Sequence, residues 1–253
     1  MSELLPGLQL TAFQLTLAVV VVFAAAIVRG FSGFGFSMLA VTGLSLLRPP
    51  AEVVPMVLML EVVASSHLLP MVWRDADWRS LRWLLAGTAL ATPVGVAVLA
   101  SIPADSMRVV VSVFVMLAVV FLWRGFTLRQ VPSARATLAT GVVAGLLNGS
   151  AAIAGPPAIL FYFSSPAGVT VSRASLITYF LGTDLIAVAL AAAYGLVNGT
   201  ILQRAGILLF PLVLGVSVGH RRFVRTNPES FRRLVLVLLM ALSLAGFLRA
   251  MHG

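Results

Sequence analysis

Asn148-Gly149-Ser150-Ala151-Ala152-Ile153-Ala154-Gly155-Pro156-Pro157 interrupts an apolar stretch, about residues 135–166, that is too long for one membrane crossing. A second stretch, about residues 10–47, is interrupted in the same way by Arg29-Gly30-Phe31-Ser32-Gly33-Phe34-Gly35, about 119 residues earlier. Inside a membrane, a broken helix is tolerated only where its freed N–H and C=O groups face protein or a water-filled cavity. The two breaks therefore mark a polar cavity within an apolar chain.

The rest of the sequence agrees. Of 253 residues, 60% are apolar and only 10% charged, with a mean hydropathy of +1.06. Such a chain cannot hide its apolar surface in water. Apolar runs recur along its whole length, leaving room for one membrane domain, residues 1–253. The excess of 17 Lys and Arg over 8 Asp and Glu lies in short loops between those runs. Retention of basic residues on the cytoplasmic side explains it without a nucleic-acid partner. With no cysteine there are no disulfides, no thiol catalysis and no Cys-ligated metal. Residues 1–10 carry Glu3 and no Lys or Arg, unlike a signal peptide, so the first apolar run is expected to be retained.

A crossing needs roughly 20 helical residues, and six runs qualify, at about 51–73, 81–101, 105–124, 173–196, 201–220 and 230–250. Each break is followed by an apolar segment, a short polar connection (Arg48-Pro49-Pro50 or Ser164-Ser165-Pro166) and three spans. This is a twofold internal repeat, about 8–125 and 133–253. Arginines 74, 79 and 82, then 124, 129 and 135, then 221, 222 and 225 mark three cytoplasmic loops. Between the last two of these, spans 173–196 and 201–220 already go out and back. Residues 135–166 then enter and leave on the cytoplasmic side, as a re-entrant pair of half-helices; the alternative, a single full crossing, throws the arginine-rich loop at 221–229 outside. If residues 10–47 form the corresponding hairpin from outside, each repeat has three crossings and the repeats are inverted. Residues 10–29 alternatively form one complete span. The expected fold is an all-α polytopic membrane protein of two inverted repeats, each a re-entrant or broken helical hairpin plus three transmembrane helices.

In this architecture substrate binds between the repeats, where broken helices meet. Glycines 30, 33, 35, 149 and 155 allow close backbone approach. The second half-helix of each hairpin aims N–H groups and a positive dipole end inward, which suits an anion. Pro156 and Pro157 fit the first turn of such a helix, and Ser32, Ser37, Asn148 and Ser150 add neutral donors. Close helix packing is the competing role for the small residues. Arg29, costly inside a bilayer, needs a partner: an anionic substrate, Glu61, or the interface.

Glu61 and Asp184 lie deep in the helices after the two breaks, at near-equivalent positions. Each is suited either to a coupling proton or to the unpaired N–H groups of a broken helix. His67 is a third proton-relay candidate, with packing as its alternative. Tyr162 and Tyr179 are either cavity hydroxyls or interface aromatics, and Arg173 reads as a topological loop arginine.

Ala154-Gly155-Pro156-Pro157-Ala158-Ile159-Leu160-Phe161-Tyr162, preceded by Gly141-Val142-Val143-Ala144-Gly145-Leu146-Leu147-Asn148-Gly149, resembles the opening of the second half of the sulfite exporter TauE/SafE family. The likeness extends over nearly the full chain. Gly33-Phe34-Gly35-Phe36-Ser37 departs from the family's usual run of glycines. The resemblance implies export or uptake of sulfite, sulfonates or related anions, driven by an ion gradient, in a bacterial inner membrane. It implies no nucleotide cofactor, and no Walker A pattern is present.

The resulting expectation is a secondary transporter of a small anion, with a passive anion channel or facilitator as the alternative. Substrate-binding candidates are Arg29, Ser32, Gly33, Ser37, Asn148, Ser150, Gly155 and Pro156; proton-coupling candidates are Glu61, His67 and Asp184. An intramembrane hydrolase would need Ser150 beside His67 or His220, a pairing that the sequence does not support. Expected partners are the anion, membrane lipid and a second copy of the chain in a homodimer.

Overall fold

A computed structural model describes residues 4–5, 9–124, 132–163 and 168–223, with single positions between 237 and 248. The chain opens on a two-stranded antiparallel pair, β1 (Leu4–Leu5) and β2 (Leu10–Thr11). Nine α-helices follow among the described residues: α1 (Ala12–Ser32), α2 (Phe36–Leu44), α3 (Pro50–Val72), α4 (Trp78–Ser101), α5 (Ala104–Trp123), α6 (Ala134–Ala151), α7 (Gly155–Phe163), α8 (Gly168–Ala193) and α9 (Gly199–Phe223). The expected span at 230–250 lies outside the continuously described residues.

Helix starts are written in the local sequence. Thr11 and Gln14 form a reciprocal capping box at α1. Asp77 accepts from the N–H groups of Arg79 and Ser80 at α4, and Ser133 from that of Ala136 at α6. Pro50 begins α3, where its missing N–H is not needed.

Among the described residues, five helices are long and apolar enough to cross a membrane: Ala12–Ser32, Pro50–Asp75, Trp78–Ser101, Thr170–Ala193 and Gly199–Arg221. The chain is a multi-pass, all-α membrane protein. Of the two readings of residues 10–47, the structure has a helix of full-span length, α1, followed by the nine-residue α2. The arms are thus unequal rather than two half-length helices, and the same holds for α6 with 18 residues and α7 with nine.

Both breaks are made by the same device. The N–H of Gly33 donates to Arg29 O at 2.8 Å, with Gly33 left-handed at φ 80°. The N–H of Ala152 donates to Asn148 O at 2.8 Å, with Ala152 left-handed at φ 55°. A left-handed cap ends a helix by closing its last carbonyls. After the first break α2 runs back along α1, since a Cβ on Gly43 would stand 2.9 Å from Val21 Cγ1. After the second, α7 runs back beside α6 toward the start of α4, where Tyr162 Oη lies 2.9 Å from Ser80 Oγ.

Two glycine seams fuse elements from the two halves of the chain. Gly87 and Gly95 of α4 lie against Gly141, Gly145 and Gly149 of α6; a Cβ on Gly141 would fall 2.2 Å from Leu84 O. Gly30 of α1 faces Gly215 and Gly219 of α9 in the same way; a Cβ on Gly30 would fall 2.1 Å from Val216 O. Such contacts bring helix backbones together as only small residues allow. Between these pairs, α3 packs on α8.

Contacts along the helices give their directions. Glu52 near the start of α3 meets Arg204 near the start of α9, and His67 further along α3 meets Ser217 further along α9. Asp77, just after α3, bonds Ser175 near the start of α8. Hence α1, α3 and α9 run one way, and α4, α6 and α8 the other. The exposed Arg74, Arg79, Arg82, Arg135 and Arg221 all lie at one end of the bundle.

Candidate functional site

Arg29, in the last turn of α1, is fully buried, and with Tyr162 and Tyr179 it is among the largest fully buried side chains of the described residues. Its Nε lies 3.1 Å from Glu61 Oε2 of α3. Its Nη2 donates to Ser65 Oγ at 2.6 Å, and its Nη1 donates to Gly33 O. The guanidinium carbon sits 4.7 Å from the centroid of the Phe180 ring of α8, a cation–π distance. Glu61 Oε1 in turn accepts from Ser37 Oγ, in the first turn of α2, at 2.6 Å. One ion pair therefore ties α1, α2, α3 and α8 together. Of the partners considered for Arg29, the protein itself supplies Glu61.

The second break builds a smaller group. Asn148 Nδ2 donates to Asp184 Oδ1 at 2.9 Å and to Thr183 Oγ1 at 3.2 Å. The two groups are joined at the start of α7. A Cβ on Gly155 would stand 3.5 Å from Met38 Sδ of α2 and 4.0 Å from Phe180 Cζ. Gly155 thus lets the N-terminus of α7, with the buried Pro156, lie beside the ring that carries Arg29.

Other candidates have different work. Ser32 Oγ lies 2.7 Å from both Val28 O and Phe34 O, and Ser150 Oγ donates to Leu146 O at 2.8 Å, so these hydroxyls serve the backbone of the breaks. Gly33 is needed for its left-handed φ and because a Cβ there would lie 2.8 Å from Arg173 Cγ. Gly30 and Gly149 are spent on the helix seams. His67 is exposed, 3.4 Å from Ser217, and stands apart from the Arg29–Glu61 group. Tyr162 and Tyr179 are buried, bonding Ser80 and, at 2.8 Å, Thr88.

Glu61 and Asp184 are not equivalent in position. Counted from the two left-handed caps, Asp184 matches Ser65, and Glu61 matches Phe180. The sequence expectation slipped by one turn because α8 begins at Gly168 rather than 173. The same offset hid Arg173. It lies in the second turn of α8, 6% exposed, with Nη2 donating to Gly30 O at 3.0 Å and 3.2 Å from His220 Nδ1. It is a buried arginine at the first break, not a loop residue. The signal was present in Ser172-Arg173-Ala174-Ser175, small residues flanking a charge at the head of an apolar run. Among the described residues no three His, Asp or Glu side chains gather as a metal site.

Comparison with known proteins adds the following. The family described as Sulfite exporter TauE/SafE matches residues 18–246. A Cupriavidus necator protein named "Probable sulfite/organosulfonate exporter TauE" is 26% identical over 233 residues, covering 89% of this chain and 90% of its own. No solved structure matches the chain.

Proposed function

Because the chain belongs to the sulfite exporter TauE/SafE family, whose members are transporters and not enzymes, we propose that it is a secondary transporter of a small anion, a sulfur oxyanion or organosulfonate, across the bacterial inner membrane. The observation that carries this reading is Arg29, a fully buried cation held at the meeting point of two broken helices. An anion arriving there meets a guanidinium and the N-terminal ends of α2 and α7, all favourable to negative charge. Ser37 and Asn148 offer polar side chains, Gly33, Gly155 and Pro156 the close backbone, and Ser32 and Ser150 hold its shape.

The anion must compete with Glu61 for Arg29. Protonating Glu61 releases the arginine, which couples anion binding to a proton. The opposed directions of α1 and α6, and the left-handed caps 119 residues apart, support two inverted repeats, each opening on a broken helical hairpin of unequal arms. The arginines gathered at one end of the bundle support that end as cytoplasmic.

The test is flux of sulfite and a panel of small sulfonates into proteoliposomes, with and without a pH gradient. Wild type is expected to show saturable, gradient-driven flux, Glu61→Gln to lose the response to the gradient, and Arg29→Gln to lose flux. Unsaturable flux indifferent to the gradient and to Glu61→Gln identifies a passive channel instead.

A further inference from the structure

Arg29 and Asn148 occupy corresponding places. Each lies four residues before a left-handed cap whose N–H returns to its own carbonyl, and each bonds a side chain 36 positions further on, Ser65 and Asp184. The chemistry across this correspondence is inverted. In the first half a cationic side chain meets a neutral hydroxyl, with Glu61 one turn away to balance it. In the second half a neutral amide meets a carboxylate, and the residue one turn away is Phe180.

Among the described residues, Asp184 is therefore left without a counter-charge from its own half. It is 1% exposed; Oδ1 accepts from Asn148, and Oδ2 has no hydrogen-bond partner among the described residues. Among the described residues, the charged groups that act on it are Glu61, of like sign, and Arg29, which already pairs with Glu61. Tyr179, on the same helix, has its phenol engaged with Thr88. A buried carboxylate costs several kcal/mol unless something balances it. The buried Oδ2, with no donor among the described residues, is the place where that balance is missing.

We propose that Asp184, with Asn148 and Thr183 beside it, is the binding site of a monovalent, oxygen-seeking cation, a proton or sodium. This rests on the transporter reading above and adds a second coupling site to it. Cation and anion then occupy neighbouring halves of one centre: the cation on Asp184, the anion on Arg29 across the Phe180 ring. Each lowers the electrostatic cost of the other, so the cation binds alone and more tightly when the anion is present.

The experiment uses the full chain purified in detergent, with no anion present. One arm measures binding of radiolabelled sodium against potassium as competitor. The other follows the infrared carboxyl band as pH is stepped. Sodium binding lost in Asp184→Asn and roughly tenfold weaker in Thr183→Ala identifies sodium. A titrating carboxyl band lost in Asp184→Asn, without sodium binding, identifies the proton. If Asp184→Asn does not fold, Asp184→Glu must shift the sodium affinity or the band position. Wild type showing neither signal, or either signal unchanged in folded Asp184 variants, overturns the proposal. Cation binding without flux of any anion in the panel overturns the transport reading alone; anion flux without a cation signal overturns this inference alone.

Discussion

Arg29 Nε and Glu61 Oε2 lie 3.1 Å apart, with side-chain exposures of 0% and 1%. Two opposite charges so deeply buried depend on each other: removing either strands its partner, whereas removing both does not. Arg29→Leu and Glu61→Leu alone are each expected to cost about 3–5 kcal/mol of stability. The double variant is expected to recover most of the loss while remaining unable to transport. Thermal unfolding of the purified variants checks this; a double variant as unstable as the summed single losses refutes the interdependence.

The glycine seams make a sharper stability prediction. A methyl group on Gly141 has Leu84 O at 2.2 Å, a backbone atom that cannot move aside alone. Gly141→Ala is expected to separate α4 from α6 and lower Tm markedly. Gly206, inside α9, has nothing within 4 Å of its added Cβ, so Gly206→Ala is expected to gain about 0.5–1 kcal/mol from helix propensity. Equal effects of the two substitutions argue against the α4–α6 contact.

The two caps differ in residue type although they share a conformation. Gly33 is left-handed at no cost, whereas Ala152 pays for its positive φ. Gly33→Ala adds backbone strain to a clash with Arg173 Cγ and is expected to lower Tm and impair flux. Ala152→Gly is expected to change Tm little, the relief of strain being offset by the freedom glycine has when unfolded. A large loss in Ala152→Gly means that its buried methyl, rather than its backbone, matters.

The two breaks were legible in the sequence because glycine and proline punctuate helices by rules that do not depend on distant partners, and α3, α4, α5 and α9 fall within a few residues of their expected limits. What depends on three-dimensional neighbours was not legible. Hydropathy placed the start of α8 at 173, since nothing in Gly168-Val169-Thr170-Val171 distinguishes a first helical turn from a loop. Counting from there made Glu61 and Asp184 look equivalent and made Arg173 look peripheral. His67 read as a deep titratable group because a helical run gives depth along its axis but not the face a residue occupies. Gly30 and Gly149 read as cavity glycines because a helix seam and a ligand contact both ask for a missing side chain, and only the identity of the neighbour separates them.

The glycine seams also bear on how the protein is made. Gly30 of α1 has its contact surface on α9, and the seam on α4 waits for α6, so neither half of the chain can finish its own packing as it leaves the ribosome. The first helix must rest in lipid, its glycine groove open and its arginine already inserted, until nearly the whole chain has been translated. Assembly thus closes in two steps, the α4–α6 seam when α6 has been made and the α1–α9 seam only after α9. A product truncated before α9 is left with an unfilled groove on α1 by which quality-control proteases can recognise it.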